Sequence, residues 1–215
     1  MEDAYAAIET YKAAIMSDGE EEIAENISMT PQPQISLVIM DQSNGHVVAI
    51  VGGRGAKEGS RTLNRATDSA RQPGSTFKVL STYAPALDSA GMTLATVFND
   101  APFNYNDGTP VHNWYSNPPY EGLSSIRKGI YHSMNIVTVK CLTQITPKLG
   151  FDYLEDFGFT TLNELNDCYQ PMALGGVGGV TNLELCAAYA TIANGGVYNE
   201  PQFYTRVLDL SLIHI

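Results

Sequence analysis

Two β-branched, apolar runs at residues 35–40 and 46–51 flank Asp41-Gln42-Ser43-Asn44-Gly45, and they restrict the fold more than any other feature. Runs of this length read as strands, and the Asn-Gly between them supplies the positive φ angles of a tight hairpin turn. After residue 74 the period changes. Phe77, Val79, Leu80, Tyr83 and Leu87 recur at helical spacing, as do apolar residues over 124–142, 153–157 and 183–193. Together these predict an α+β domain: an antiparallel sheet, begun by the 35–51 hairpin and flanked by helices.

The domain is expected to span 34–215. Before it, residues 1–33 read as a lead-in helix, with Ala4, Ala7, Ile8, Tyr11, Ala14 and Ile15 at helical spacing, followed by an acidic linker that Pro31 and Pro33 terminate. With 215 residues and 44% hydrophobic content the chain has enough apolar matter for a core. Its net charge of -11 would repel phosphate backbones and anionic headgroups, which argues against a nucleic-acid partner. No apolar run approaches the roughly 20 residues that span a bilayer. Cys141, Cys168 and Cys186 are odd in number and lack C-x-x-C spacing, so they read as small core residues rather than a zinc or disulfide framework. The four histidines show no metal-ligand spacing, and neither metal nor cofactor is expected.

Ser75-Thr76-Phe77-Lys78 is an S-x-x-K tetrad where a helix is expected to start, after Pro73-Gly74. The i, i+3 spacing puts hydroxyl and amine on one face, one turn apart. A serine is a poor nucleophile unless a neighbour takes its proton, and a lysine can do so only when burial or nearby charge keeps it neutral. Burial of Lys78 is therefore required, and the helix N-terminus would offer backbone N–H groups to an oxyanion. The bland alternative is a capping serine with a solvated lysine. Ser125-Ile126-Arg127-Lys128 also fits the tetrad, but only the first leaves room for a separate element before Ser133-Met134-Asn135, the single S-x-N in the chain. Ser133 and Asn135 are otherwise ordinary polar residues near a helix end.

The string from Arg71 to Lys78, with the S-x-N after it, resembles the active-site motifs of penicillin-binding proteins. Residues 41–53 look like the opening hairpin of that transpeptidase domain, and 174–198 resemble its later helical segment; the similarity covers about 33–206. The context Arg65-Ala66 and Arg71-Gln72, with the lead-in, is closest to the class A, bifunctional type. The resemblance implies a penicillin-binding/β-lactamase-like fold placed on the extracytoplasmic face of the bacterial membrane, anchored by a region outside this sequence. It further implies that Ser75 attacks the D-Ala-D-Ala carbonyl of a peptidoglycan stem peptide, Lys78 takes its proton, Ser133 relays a proton to the departing D-alanine and Asn135 holds the substrate amide. β-Lactams would acylate Ser75. Trp114, with Tyr115 and Tyr120 in a long irregular loop over 99–122, would line the substrate groove or else pin that loop to the domain.

The family's third motif, K-T-G, is missing: no lysine is followed by Thr-Gly or Ser-Gly, and the tail 210–215 does not resemble the family. The sequence therefore reads as a fragment, incomplete at its C-terminus, with an exposed sheet edge expected. Rival readings are a D,D-carboxypeptidase, a β-lactam hydrolase, a non-catalytic module that binds β-lactam or muropeptide, and an inactive scaffold fragment. The glycines at 175, 176, 178 and 179 match neither a dinucleotide nor a P-loop pattern and are expected to form a close-packed turn.

Overall fold

The computed structural model describes residues 33–57 and 59–207. The chain divides between residues 35 and 36, and every described strand and helix belongs to the second unit. The expected lead-in helix and the 210–215 tail lie outside the described residues.

Strands β1 (Leu37–Met40) and β2 (Val47–Val51) pair antiparallel, as the two β-branched runs require. The turn between them differs from expectation. Only Gly45 takes a positive φ, +80°, because Asp41 organises the residues before it. The Asp41 carboxylate accepts from Ser43 N at 2.9 Å, Ser43 Oγ at 2.7 Å and Asn44 Nδ2 at 3.0 Å, so Asn44 stays in an ordinary conformation and Gly45 alone makes the crossing. The register slips between Ile39 and Met40 to absorb the extra residue. A side chain at Gly45 would also meet the Glu200 carbonyl at 2.5 Å, since the chain returns there and Val47 N donates to Gln202 O at 2.9 Å.

The 99–122 segment is not the structureless loop the sequence suggested. It contains β4 (Phe103–Asn104) and β5 (Pro110–Val111), nested between β3 (Val97–Asp100) and β6 (Gly122–Ser125), which pair with each other. Strands of two to four residues interrupted by proline carry too few positions for a period of two to show.

Helix α1 (Arg65–Asp68) is capped by the Asn64 side chain, which accepts from Ala66 N at 3.1 Å. Helix α2 runs over 74–88 in three parts: a tight turn Gly74–Thr76, a widened turn Val79–Tyr83, and an α-helical end Ala84–Asp88. Pro85 accounts for the widening. It has no N–H for the carbonyl four residues back and its ring crowds that carbonyl. Phe77, Leu80 and Tyr83 are buried in one core with Ile136, Leu142 and Phe151, each worth roughly 1.5–3 kcal/mol of apolar burial.

The helical period over 124–142 conceals two helices, α3 (Ile126–Tyr131) and α4 (Asn135–Ile145). The break falls at Ser133, whose φ of +50° no α-helix accommodates, and at Met134, which is extended. Neither residue is a glycine or proline, so the sequence reads through it. Helices α5 (Pro147–Asp156) and α6 (Glu164–Asp167) follow, then a tight helical turn Gln170–Leu174 and α7 (Asn182–Ala193). At the start of α7, Thr181 and Glu184 form a reciprocal capping box. Cys141 is buried, Cys168 and Cys186 are half-buried, and all three thiols are free.

Candidate active site

Ser75 sits, exposed, in the tight turn that opens α2. Three neighbours hold this turn in place. Arg71 and Val180 exchange two backbone hydrogen bonds of 2.9 Å just before it. Tyr189 Oη, on α7, donates to Thr76 O at 2.6 Å. The glycine-rich segment packs backbone to backbone against it: a Cβ at Gly175, where φ is +76°, would lie 2.4 Å from Gly74 N and 2.5 Å from Gly74 O. The glycines near 175 thus form the close-packed turn expected of them, and its floor is the Ser75 turn itself.

One turn along, Lys78 is only 3% exposed. Its Nζ donates to Ser133 O at 2.7 Å, Ser133 Oγ at 2.9 Å and Asn135 Oδ1 at 2.6 Å. Burial lowers its pKa from 10.5 to about 8, so a substantial fraction is neutral near physiological pH. An ammonium has three N–H donors, and these three acceptors take all of them. When the proton leaves, one contact must change role. Of the three acceptors only the Ser133 hydroxyl can turn round and donate, so its direction is tied to the charge on Lys78.

The left-handed backbone at Ser133 makes this possible, because the carbonyl and hydroxyl of one residue both face Nζ. Asn135, the first residue of α4, is oriented by its other end: Nδ2 donates to His112 O at 2.7 Å, which leaves Oδ1 to Lys78. Trp114 is both exposed, at 66%, and pinned, with Nε1 donating to His132 O at 2.9 Å and its ring edge-on to Tyr115 and His132. That bond ties it to the residue immediately before Ser133. Tyr115 is a pinning residue, stacked on His132 and donating to Asp100 Oδ2 at 2.6 Å.

The second tetrad is a helix cap. Ser125 Oγ accepts from Lys128 N at 3.3 Å at the start of α3, and the Lys128 amine pairs with Glu121 at 2.5 Å. The structure thus brings Lys78, Ser133 and Asn135 into direct contact, with Ser75 one helical turn away and Trp114 joined through His132. Sequence reasoning missed Asp100, His112, Asn113 and the contact of Gly175 with Gly74. Nothing in the sequence marked them: the burial of Asp100 and its place at the end of β3 appear only in the structure.

The family model described as the penicillin binding protein transpeptidase domain matches residues 35–214. Penicillin-binding protein 1A of Clostridium tetani is 34% identical over 190 residues, covering 83% of this chain and 24% of the relative. The Escherichia coli protein of the same name is 32% identical over 184 residues, covering 84% and 21%. The crystal structure of penicillin-binding protein 1A from Haemophilus influenzae superposes with a TM-score of 0.73 at 29% identity, over 88% of this chain and 28% of that one. PonA1 of Mycobacterium tuberculosis in complex with penicillin V shares the fold, with a TM-score of 0.71 at 22% identity over 84% and 48%. The chain spans about a quarter of the length of the curated relatives it matches. An α+β fold of this shape and a family match over nearly all of the described residues give one conclusion: the chain belongs to the penicillin-binding protein transpeptidase family, and its relatives are of the class A type.

Proposed function

We propose that this chain carries the serine acyl-transfer site of a peptidoglycan transpeptidase, with Ser75 as nucleophile and Lys78 as its base. The observation that carries this is the buried Lys78 amine, lowered to about 8 and held by Ser133 and Asn135 one turn from Ser75. A solvated lysine beside a capping serine, the bland alternative, would have none of these contacts.

Neutral Lys78 takes the Ser75 proton as Oγ bonds to the penultimate D-alanine carbonyl of a stem peptide. The carbonyl electron pair moves onto oxygen, which unpaired backbone N–H groups at the opening turn of α2 would stabilise. As the intermediate collapses, the C–N bond breaks and the leaving D-alanine nitrogen takes a proton from the Ser133 hydroxyl, which Lys78 replenishes. An amine from a neighbouring stem peptide then attacks the acyl-serine and its excess proton returns along the same route. Asn135 holds the substrate amide, and the exposed face of Trp114 lines the groove. β-Lactams present the same electrophile in a ring and leave Ser75 acylated; the penicillin V complex of the PonA1 neighbour supports this choice of probe. Cross-linking substrates lie on the outer side of the cell membrane, which is where the site would work. Among the described residues no helix is long and apolar enough to cross a membrane.

Intact-protein mass spectrometry after incubation with benzylpenicillin tests the assignment, run beside Ser75→Ala and Ser125→Ala. The expected result is one adduct, mapped to Ser75, absent from the first variant and kept by the second. No adduct on folded protein, or one at Ser125, would refute it. Product analysis with a D-Ala-D-Ala peptide and an amine acceptor separates transpeptidation from hydrolysis.

A further inference from the structure

Helix α4 begins without a cap of its own, since Met134 at its cap position has no side-chain acceptor. The acceptor comes from elsewhere: Asn113 Oδ1 receives Asn135 N at 3.0 Å and Ile136 N at 3.3 Å. The other end of the same amide is fixed too, with Asn113 Nδ2 donating to Asp100 Oδ1 at 2.8 Å and, more weakly, to Pro119 O at 3.4 Å. Asp100 is fully buried, and its second oxygen accepts from Tyr115 Oη at 2.6 Å and Glu121 N at 2.8 Å.

We infer that Asp100 and Asn113 are positioning residues for the Ser75 site, setting through hydrogen-bond polarity which way the start of α4 presents Asn135 to Lys78. The inference rests on the acyl-transfer site proposed above. A carboxylate only accepts, so Asp100 obliges Asn113 to offer its NH2 inward and its oxygen to the helix. With the Asn135 backbone held by Asn113 and its Nδ2 by the adjacent carbonyl of His112, Asn135 can only direct Oδ1 at the lysine. Turned over, the amide would set N–H against the Lys78 N–H groups. Neither Asp100 nor Asn113 touches Lys78 or the substrate carbonyl, so they act through Asn135.

Polarity can be reversed, which makes the test sharp. In Asn113→Asp two carboxylates face each other, and in Asp100→Asn an amide replaces the fixed acceptor. In the double variant the new amide at 100 donates to the new carboxylate at 113, its own oxygen keeps Tyr115 and Glu121, and the carboxylate still accepts from the helix N–H groups. Only the long contact to Pro119 is lost.

The full chain and these variants are acylated with benzylpenicillin in rapid-quench mass spectrometry, resolving the binding constant from the acylation rate constant, with melting curves alongside. Each single variant is expected to lose about 10- to 100-fold in the acylation rate constant, the scale of one mismatched buried hydrogen bond, with binding changed less than about threefold. The double variant is expected to return within about fivefold of wild type. Should a single variant fail to fold, Asn113→Ser, which adds no charge, replaces it and is expected to show the same loss. Folded single variants that acylate at the wild-type rate, or a folded double variant no faster than the singles, would overturn the inference while leaving Ser75 chemistry intact. A folded wild-type chain that forms no Ser75 adduct would overturn both.

Discussion

Gly175→Ala tests whether the Ser75 turn is held by backbone contact rather than by its own conformational preference. Two costs separate in this variant. An alanine in the left-handed region costs roughly 1–2 kcal/mol wherever it occurs, and φ is +76° at this position. The second cost is local. The new Cβ would stand 2.4 Å from Gly74 N, 2.5 Å from Gly74 O and 2.7 Å from Gly74 Cα, where ordinary contact begins near 3.4 Å. All three atoms are backbone, so no side chain can swing aside, and about 1 Å of displacement must pass into the turn that carries Ser75. A misplacement of that size can reduce a rate by about 10²-fold.

Gly108→Ala isolates the first cost, because φ there is +88° and nothing lies within 4 Å of the added carbon. Gly108→Ala should lose roughly 1–2 kcal/mol in urea unfolding and Gly175→Ala more, because overpacking adds about 1–3 kcal/mol, but only Gly175→Ala should slow adduct formation with benzylpenicillin by about 10²-fold. Equal acylation by the two folded variants would refute the claim that the glycine-rich segment positions the Ser75 turn.

Acylation of the wild type should rise with pH through a midpoint near 8 as Lys78 loses its proton, and Lys78→Met should abolish the adduct. The same group should shape stability: the unfolded chain holds the lysine proton between about pH 8 and 10.5 while the folded chain does not, so stability due to Lys78 rises with pH across that window. Urea midpoints of wild type and Lys78→Met that change identically over this range would contradict it. Ser124 is 1% exposed and its Oγ has no hydrogen-bond partner, so Ser124→Ala should stabilise by about 1 kcal/mol in urea unfolding, and a loss would show that the hydroxyl is satisfied. Glu184 gathers Thr160, Thr161 and Thr181 around one carboxylate. Burial works against its charge, yet hydrogen bonds from Thr181 and Thr160 prevail and its pKa is lowered. Glu184→Gln should therefore cost about 1–3 kcal/mol at pH 7, shrinking as pH falls below 4.5, where the unfolded chain takes up the Glu184 proton before the folded chain does; a pH-independent difference would refute this.

What the sequence made legible was what lies within one element. The β1–β2 hairpin follows from β-branched runs on either side of a glycine turn, and Ser75 with Lys78 follows from i, i+3 spacing on one helix. Ser133 and Asn135 were legible as residue types, but the break that exposes them was not: helical periodicity runs through 124–142, and the left-handed Ser133 has no glycine to mark it. A break without a local signal must be maintained by distant groups. Lys78 donates to the Ser133 carbonyl and hydroxyl, and Asn113 supplies the cap that Met134 lacks. At Gly175 the φ of +76° asks for glycine on local grounds, and the close approach of Gly74 in the opposing backbone adds a second reason that only the fold reveals. At Ser133 and Met134 local preference is overruled, and all of these points touch the Lys78 cluster or the Ser75 turn. Residues that a propensity-based reading places wrongly are therefore where this fold departs from its least strained path to bring a hydroxyl, an amine and an amide together.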